Sequence, residues 1–241
     1  MQITKMLVPQ SKYDIKCPYE MEPEFIVVHN SYNDASAMAE VSYMIGNNNK
    51  TSFHCAIDNV QIVQGIPFDR NSWNAGDGRN GKGNRKGISI EICYSKSGGE
   101  RFDEAEKLAA EYIAYLLKQY NWGIDRVKKH QDFANKYCPH RTLDLGWERF
   151  LNMIRSYLED KPINNDEIKE GSDEKVRTYQ NGSTSEIVYA DTACTKRIGS
   201  LDPRESCDCF GIFNDRAMVR YQVNGTNNYK IGFCKWLGGV K

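Results

Sequence analysis

Residues 25–29, FIVVH, place four apolar side chains in a row and end on an imidazole. A run this short and this apolar reads as a strand inside an α/β sheet. Helical spacing follows in ASAMAEVSYMI (35–45), where Met38, Val41, Met44 and Ile45 share one face. SFHCAID (52–58) and QIVQGI (61–66) then flank Asn59 as a hairpin-like pair, and ISIEIC (88–93) alternates strictly, with isoleucines at 88, 90 and 92. The spacing predicts a long amphipathic helix over 102–120, with Ala105, Leu108, Ala109, Tyr112, Ile113, Leu116 and Tyr120 on one stripe, and a last helix over 147–158. Strands alternating with helices make residues 1–158 an α/β domain.

The remainder has a different character. Residues 159–174, EDKPINNDEIKEGSDE, carry seven acidic and two basic side chains and only two aliphatic ones, so they read as a linker. Residues 175–241 carry ten basic and six acidic side chains. Asn-Gly pairs at 181–182 and 224–225 are hairpin-turn signals, which predicts a small all-β domain. The longest aliphatic run, Ile26-Val27-Val28, falls far short of the ~20 apolar residues of a membrane span. The N-terminal residues lack the apolar stretch of a secretory signal, so synthesis in the cytosol is expected, with no membrane partner. Basic and acidic residues balance at 32 each, leaving no footprint for nucleic acid. In a reducing compartment the eight cysteines are expected to be free, buried or metal-bound.

Chemistry concentrates in KKHQDFANKYCPHR (128–141), which holds His130, Lys136, Cys138 and His140. Strand alternation adds Glu91, because Ile88, Ile90 and Ile92 point into the core and Ser89, Glu91 and Cys93 face the other way. His29 closes the first strand, where side chains meet the loops that build sites in open α/β sheets. Two imidazoles and a thiolate suit Zn²⁺, and three protein ligands leave the fourth position open for water. On spacing alone, the loop fits a metal site, a nucleophilic Cys138 paired with a histidine, or unremarkable side chains.

FIVVHNS, NAGDGRNGKGNRKGISIEI and HQDFANKYCPH together resemble the type 2 N-acetylmuramoyl-L-alanine amidases, over about residues 20–158. That resemblance implies a mixed central sheet flanked by helices and Zn²⁺ held by His29, His130 and Cys138. It also implies that Glu91 is the acid/base and that Lys136, as the catalytic lysine, stabilises the oxyanion; Asn30, His54, Trp73 and Asn74 are the expected substrate contacts. The substrate implied is bacterial peptidoglycan, cut between N-acetylmuramic acid and L-alanine. Two departures stand out. Phe53 replaces a tyrosine found in some members, and Trp73-Asn74-Ala75-Gly76 replaces the common W-H-A-G.

His54 is read either as a substrate or metal-supporting contact or as a structural histidine, and His140 as a loop hydrogen-bonding residue. Cys55 and Cys93 read as small buried hydrophobes. GDGRNGKG (76–83) misses the phosphate-loop pattern at Gly83 and is expected to be a mobile groove loop leading into a strand. Cys194, Cys207, Cys209 and Cys234 match no common zinc pattern. The tail resembles bacterial SH3-type wall-binding domains, with Tyr221, Tyr229 and Trp236 as either wall contacts or core. The expectation is a phage-type endolysin acting on the wall after release. The alternatives are a non-catalytic peptidoglycan-binding protein and a cytosolic wall-recycling amidase.

Overall fold

Two sheets form, one in each of two units, Met1–Gly171 and Ser172–Lys241. This computed structural model describes residues 1–159, 169–170, 177–189, 194, 197–213, 216–223, 229–235 and 239–240. In the first unit the strands are β1 (Gln2–Lys5), β2 (Phe25–Asn30), β3 (Cys55–Ile57), β4 (Ile62–Gln64), β5 (Gly87–Ile92), β6 (Val127–Lys129) and β7 (Lys169–Glu170). The helices are α1 (Tyr13–Lys16), α2 (Ala37–Gly46), α3 (Lys82–Lys86), α4 (Glu100–Gln119), α5 (His140–Leu145) and α6 (Trp147–Glu159). Strand order is β6-β2-β5-β3-β4-β1-β7, and every pairing is parallel except the β3–β4 hairpin. The sheet is therefore mixed. β7 and the last residue of α6 fall inside the stretch expected as a linker, of which residues 160–168 and 171–174 lie outside the described residues.

Alternation in β2 and β5 sends Ile26, Val28, Ile88, Ile90 and Ile92 to one face, where they share a core with α4 and α6. α4 buries more than the expected stripe, because Phe102, Ala110, Ala114 and Leu117 are covered too, whereas Leu108 and Tyr120 are only half-buried. Each large aliphatic side chain so buried contributes about 1.5–3 kcal/mol. Glu106 is buried within this apolar helix because Arg149 of α6 pairs with it. On the opposite face α2 packs through Met38, Val41, Met44 and Ile45. Its approach is close: a Cβ at Gly65 would stand 2.6 Å from Met44 Cε and 2.9 Å from Val41 Cγ1, so a larger residue there would make these side chains shift.

The second unit carries β8 (Arg177–Gln180), β9 (Glu186–Tyr189), β10 (Arg197–Leu201), β11 (Ser206–Phe213), β12 (Arg216–Gln222), β13 (Tyr229–Cys234) and β14 (Gly239–Val240). They form an antiparallel sheet in the order β10-β9-β13-β12-β11-β8-β14. The hairpin expected at Asn181-Gly182 does not form, because β8 and β9 are not neighbours. Instead the Asn181 side chain donates to the carbonyls of Thr184 and Asp202, both at 2.8 Å, and pins a crossing loop. Asn224-Gly225, Trp236 and the side chain of Tyr229 lie outside the described residues. Tyr221 is core, as are Cys207, Cys209 and Cys234.

Candidate metal centre and cleft

The C-terminal ends of the three parallel strands β6, β2 and β5 lie side by side, and each delivers one polar group to the same edge. His130 follows β6, while His29 and Glu91 are directly paired neighbours on β2 and β5. This is where open α/β sheets build their sites. His29 Nδ1 lies 4.0 Å from Glu91 Oε1. The loop after His130 folds back on itself, since Gln131 N–H donates to the Cys138 carbonyl at 3.0 Å. Phe133, in that loop, stacks on Phe25 with ring centroids 5.3 Å apart. The result brings Cys138 Sγ to 4.0 Å from His29 Nδ1 and the His130 ring to 4.7 Å from the His29 ring.

One ligand atom from each of His29, His130 and Cys138 lies within 4.8 Å of the others, and all three residues are buried. Ligands bound ~2.0–2.3 Å from a common tetrahedral ion stand roughly 3.5 Å apart, so small adjustments would close this set on a metal. Among the described residues, six side-chain polar atoms are buried with no hydrogen-bond partner. Four of the six belong to cleft residues, including His29 Nε2 and His130 Nδ1, so no protein group competes for those two ring nitrogens. Burial, His130 and the Lys136 ammonium hold the His29 imidazole well below its ordinary value. Burial and Lys136 bring His130 down to about 4. Both rings are thus neutral, the form that coordinates metal. Burial and the Glu91 carboxyl push the Cys138 thiol up to about 11, with the Asn30 backbone N–H and Lys136 pulling the other way.

Glu91 is pushed up to about 7, first by burial, against the hydrogen bond from Asn74. Asn74 Nδ2 donates to Glu91 Oε1 at 3.2 Å and also to Ser89 Oγ. Asn74 is held in turn, because the Asn84 side-chain oxygen accepts its backbone N–H at 3.1 Å. Lys136 is exposed on the cleft, and its ammonium bears on His29, His130, Glu91 and Cys138 alike.

The cleft has a volume of about 870 Å³ and is lined by His29, His130, Cys138, Glu91, Asn74 and Lys136, with Trp73 and Phe53 in its walls. One expected substrate contact needs correction. His54 is fully buried and does not reach the cleft; Ser89 N–H donates to its Nδ1 at 2.9 Å, and Nε2 meets the Arg70 carbonyl at 2.8 Å. Asn30 borders the cleft, but its amide is spent on fixing the start of α5. Its Oδ1 accepts the backbone N–H groups of Arg141 and Thr142 at 2.9 and 3.2 Å. His140 bonds the Ser95 carbonyl at 3.1 Å.

The loop at 76–83 is anchored rather than loose, since the Asp77 carboxylate accepts N–H groups from Gly83 and Asn84. A short helix, α3, separates it from β5. Sequence reasoning passed over Glu40 and Tyr43, which α2 turns toward the cleft, and Asn47, which caps its C-terminus beside them. Their i, i+3, i+7 spacing was the available signal.

A family model described as N-acetylmuramoyl-L-alanine amidase matches residues 19–141. Among curated proteins, the chain is 54% identical over 157 residues to N-acetylmuramoyl-L-alanine amidase XlyB of Bacillus subtilis, covering 65% of this chain and 50% of that one. It is 56% identical over 158 residues to N-acetylmuramoyl-L-alanine amidase CwlA of the same organism, covering 65% and 58%. Among solved structures it matches PlyL at 54% identity and a TM-score of 0.64, covering 65% of this chain and 99% of that one. The PlyG catalytic domain matches at 52% identity and a TM-score of 0.63, covering 67% and 99%. The chain thus spans 50–58% of the length of these curated relatives. By the extent of the family match, which falls on the unit that carries the cleft, the chain belongs to the N-acetylmuramoyl-L-alanine amidase family.

Proposed function

We propose that the chain is a zinc-dependent N-acetylmuramoyl-L-alanine amidase of the endolysin type, hydrolysing the amide between N-acetylmuramic acid and L-alanine in peptidoglycan. The observation that carries this reading is the buried His29–His130–Cys138 set beside a carboxyl in a cleft of about 870 Å³. Zn²⁺ held by these three side chains would supply Lewis acidity at neutral pH, for the carbonyl and for water. Glu91, held at about 7, takes a proton from the attacking water and returns it to the leaving amine. Asn74 fixes the carboxyl that does this. Lys136 faces the same point and balances the oxyanion, a role worth about 2.7–4 kcal/mol.

A catalytic thiol is disfavoured at Cys138. Burial drives that thiol up to about 11, whereas a nucleophilic cysteine needs its thiolate stabilised at neutral pH. A purely binding role is disfavoured by the complete ligand set and the adjacent carboxyl. The second unit, antiparallel and net basic in sequence, fits an SH3-like domain that docks on the anionic wall, with residues 1–158 catalytic and 159–174 joining the two. Among the described residues no helix is long and apolar enough to cross a membrane.

Digestion of purified sacculi tests the reaction. New free amines on L-alanine are expected, and new reducing sugar ends without them would refute an amidase.

A further inference from the structure

Tyr32 sits three residues past His29 in a backbone conformation that bulky side chains avoid, with φ at +59°. Specific contacts hold the turn. Ser95 Oγ accepts the Tyr32 N–H at 2.7 Å, and the Ser95 carbonyl meets His140 Nε2 at 3.1 Å and Arg141 Nε at 2.7 Å. The phenol ring rests edge-on against His140, centroids 4.8 Å apart, yet Tyr32 remains 72% exposed. Folding therefore gains little from this ring, while glycine or asparagine would adopt the same backbone with less strain. An observed outlier of this kind points toward function when it borders a site.

Its surroundings name the ligand. Tyr32 lines the cleft, as does Tyr43 of α2, which is 68% exposed. Asn49 and Thr51 also line the cleft, with an uncharged amide and a hydroxyl, whereas the Asn47 amide is already engaged by Lys16, Asn49 and the Tyr43 carbonyl. Glu40 brings an oxygen, Oε1, that is buried in the cleft wall without a partner. Flat aromatic faces, uncharged polar groups and one spare acceptor match a pyranose ring, which offers apolar C–H faces and a rim of hydroxyl and acetamido donors.

We infer that Tyr32 is the stacking platform of a subsite for the N-acetylhexosamine ring on the sugar side of the scissile amide, with Glu40 Oε1 accepting one of its donors. The inference rests on the amidase reading for what lies at the metal set.

The test titrates the full-length chain, in a Glu91→Gln background that keeps ligand intact, with two probes. One is a soluble N-acetylmuramoyl dipeptide and the other is the matching lactyl dipeptide without the sugar ring. Tyr32→Asn and Tyr32→Gly should bind the sugar-bearing probe about tenfold more weakly, the scale of one aromatic contact, while Tyr32→Phe binds it normally. Binding of the lactyl dipeptide should not change. Relief of the backbone strain should leave the Tm of the Asn and Gly variants unchanged or raise it by about 2–4 °C. Undiminished affinity for the sugar-bearing probe would overturn the inference. Equal loss for both probes would overturn it too, by assigning the ring to the peptide. A fall in Tm of similar size would show that the ring serves the fold. Alanine-amine release by the otherwise wild-type chain is scored separately. Its failure alongside a sugar-dependent loss of binding removes the amidase reading and leaves the subsite standing.

Discussion

Protonating His54 should cost the fold stability, and the structure sets the size. Its Nδ1 accepts the Ser89 N–H and its Nε2 faces the Arg70 carbonyl, so a second ring proton would point at a donor. Burial brings its value down from 6.5 to about 4. The unfolded chain then binds a proton that the folded chain refuses, so the contribution is full above pH 6.5 and is lost as pH falls toward 4. A gap of that size corresponds to ~3 kcal/mol in all, of which ~2–3 kcal/mol is gone by about pH 4.5. Urea unfolding of chelator-treated wild type and His54→Asn, at about pH 7 and about pH 4.5, isolates the effect. The side-chain oxygen of the substituted asparagine can still accept from Ser89, and the depressed metal-set histidines cancel between the two proteins. The stability gap should shrink by ~2–3 kcal/mol at the lower pH. A gap that does not move, or His54 ring resonances titrating near the ordinary value of about 6.5, would refute the reasoning. Function is linked directly, because Ser89 lies two residues from Glu91 on β5.

Glu91→Gln should keep the metal while kcat falls about 10²–10⁴-fold on soluble muropeptides. Lys136→Ala should likewise keep the metal and lose about 10²–10³-fold. Lys16 is fully buried and its ammonium donates to Asn47 Oδ1 and to the carbonyls of Asn49 and Thr51. Lys16→Met should cost about 3 kcal/mol or more by orphaning three acceptors, read by denaturant titration, and should raise KM because that loop borders the cleft. A chain ending after Gly171 should retain activity on soluble substrate but sediment less with sacculi than the full chain.

The hydrophobic periods were enough to read β2, β5, α2, α4 and α6 to within two residues or so, since burial on one face leaves a period in the sequence. The same alternation placed Glu91 on the face away from the isoleucines. Register was not legible. Nothing in the two strands says that His29 stands directly beside Glu91, or that Gln131 closes its loop onto Cys138. His54 was open to misreading because alternation gives a face but not what covers it. Here β3 lies between β5 and β4, and the ring is enclosed by Ser89, Arg70 and Phe68. The glycine-rich stretch at 76–83 suggested mobility, but Asp77 reaches six and seven residues onward to hold it, a contact no local pattern announces. Asn181-Gly182 failed as a hairpin signal for a related reason, because its partners come from the end of β10 and the loop after it.

Metal content and activity, measured on the same preparation before chelation, after chelation and after adding Zn²⁺ back, bear most directly on the role of His29, His130 and Cys138. About one zinc per chain is expected, with activity abolished by the chelator and restored by the metal. Cys138→Ser should weaken retention of the metal, because a hydroxyl is a far poorer ligand than a thiolate. Full activity with metal content near zero, destroyed instead by alkylation, would contradict the metal centre and leave Cys138 as the nucleophile.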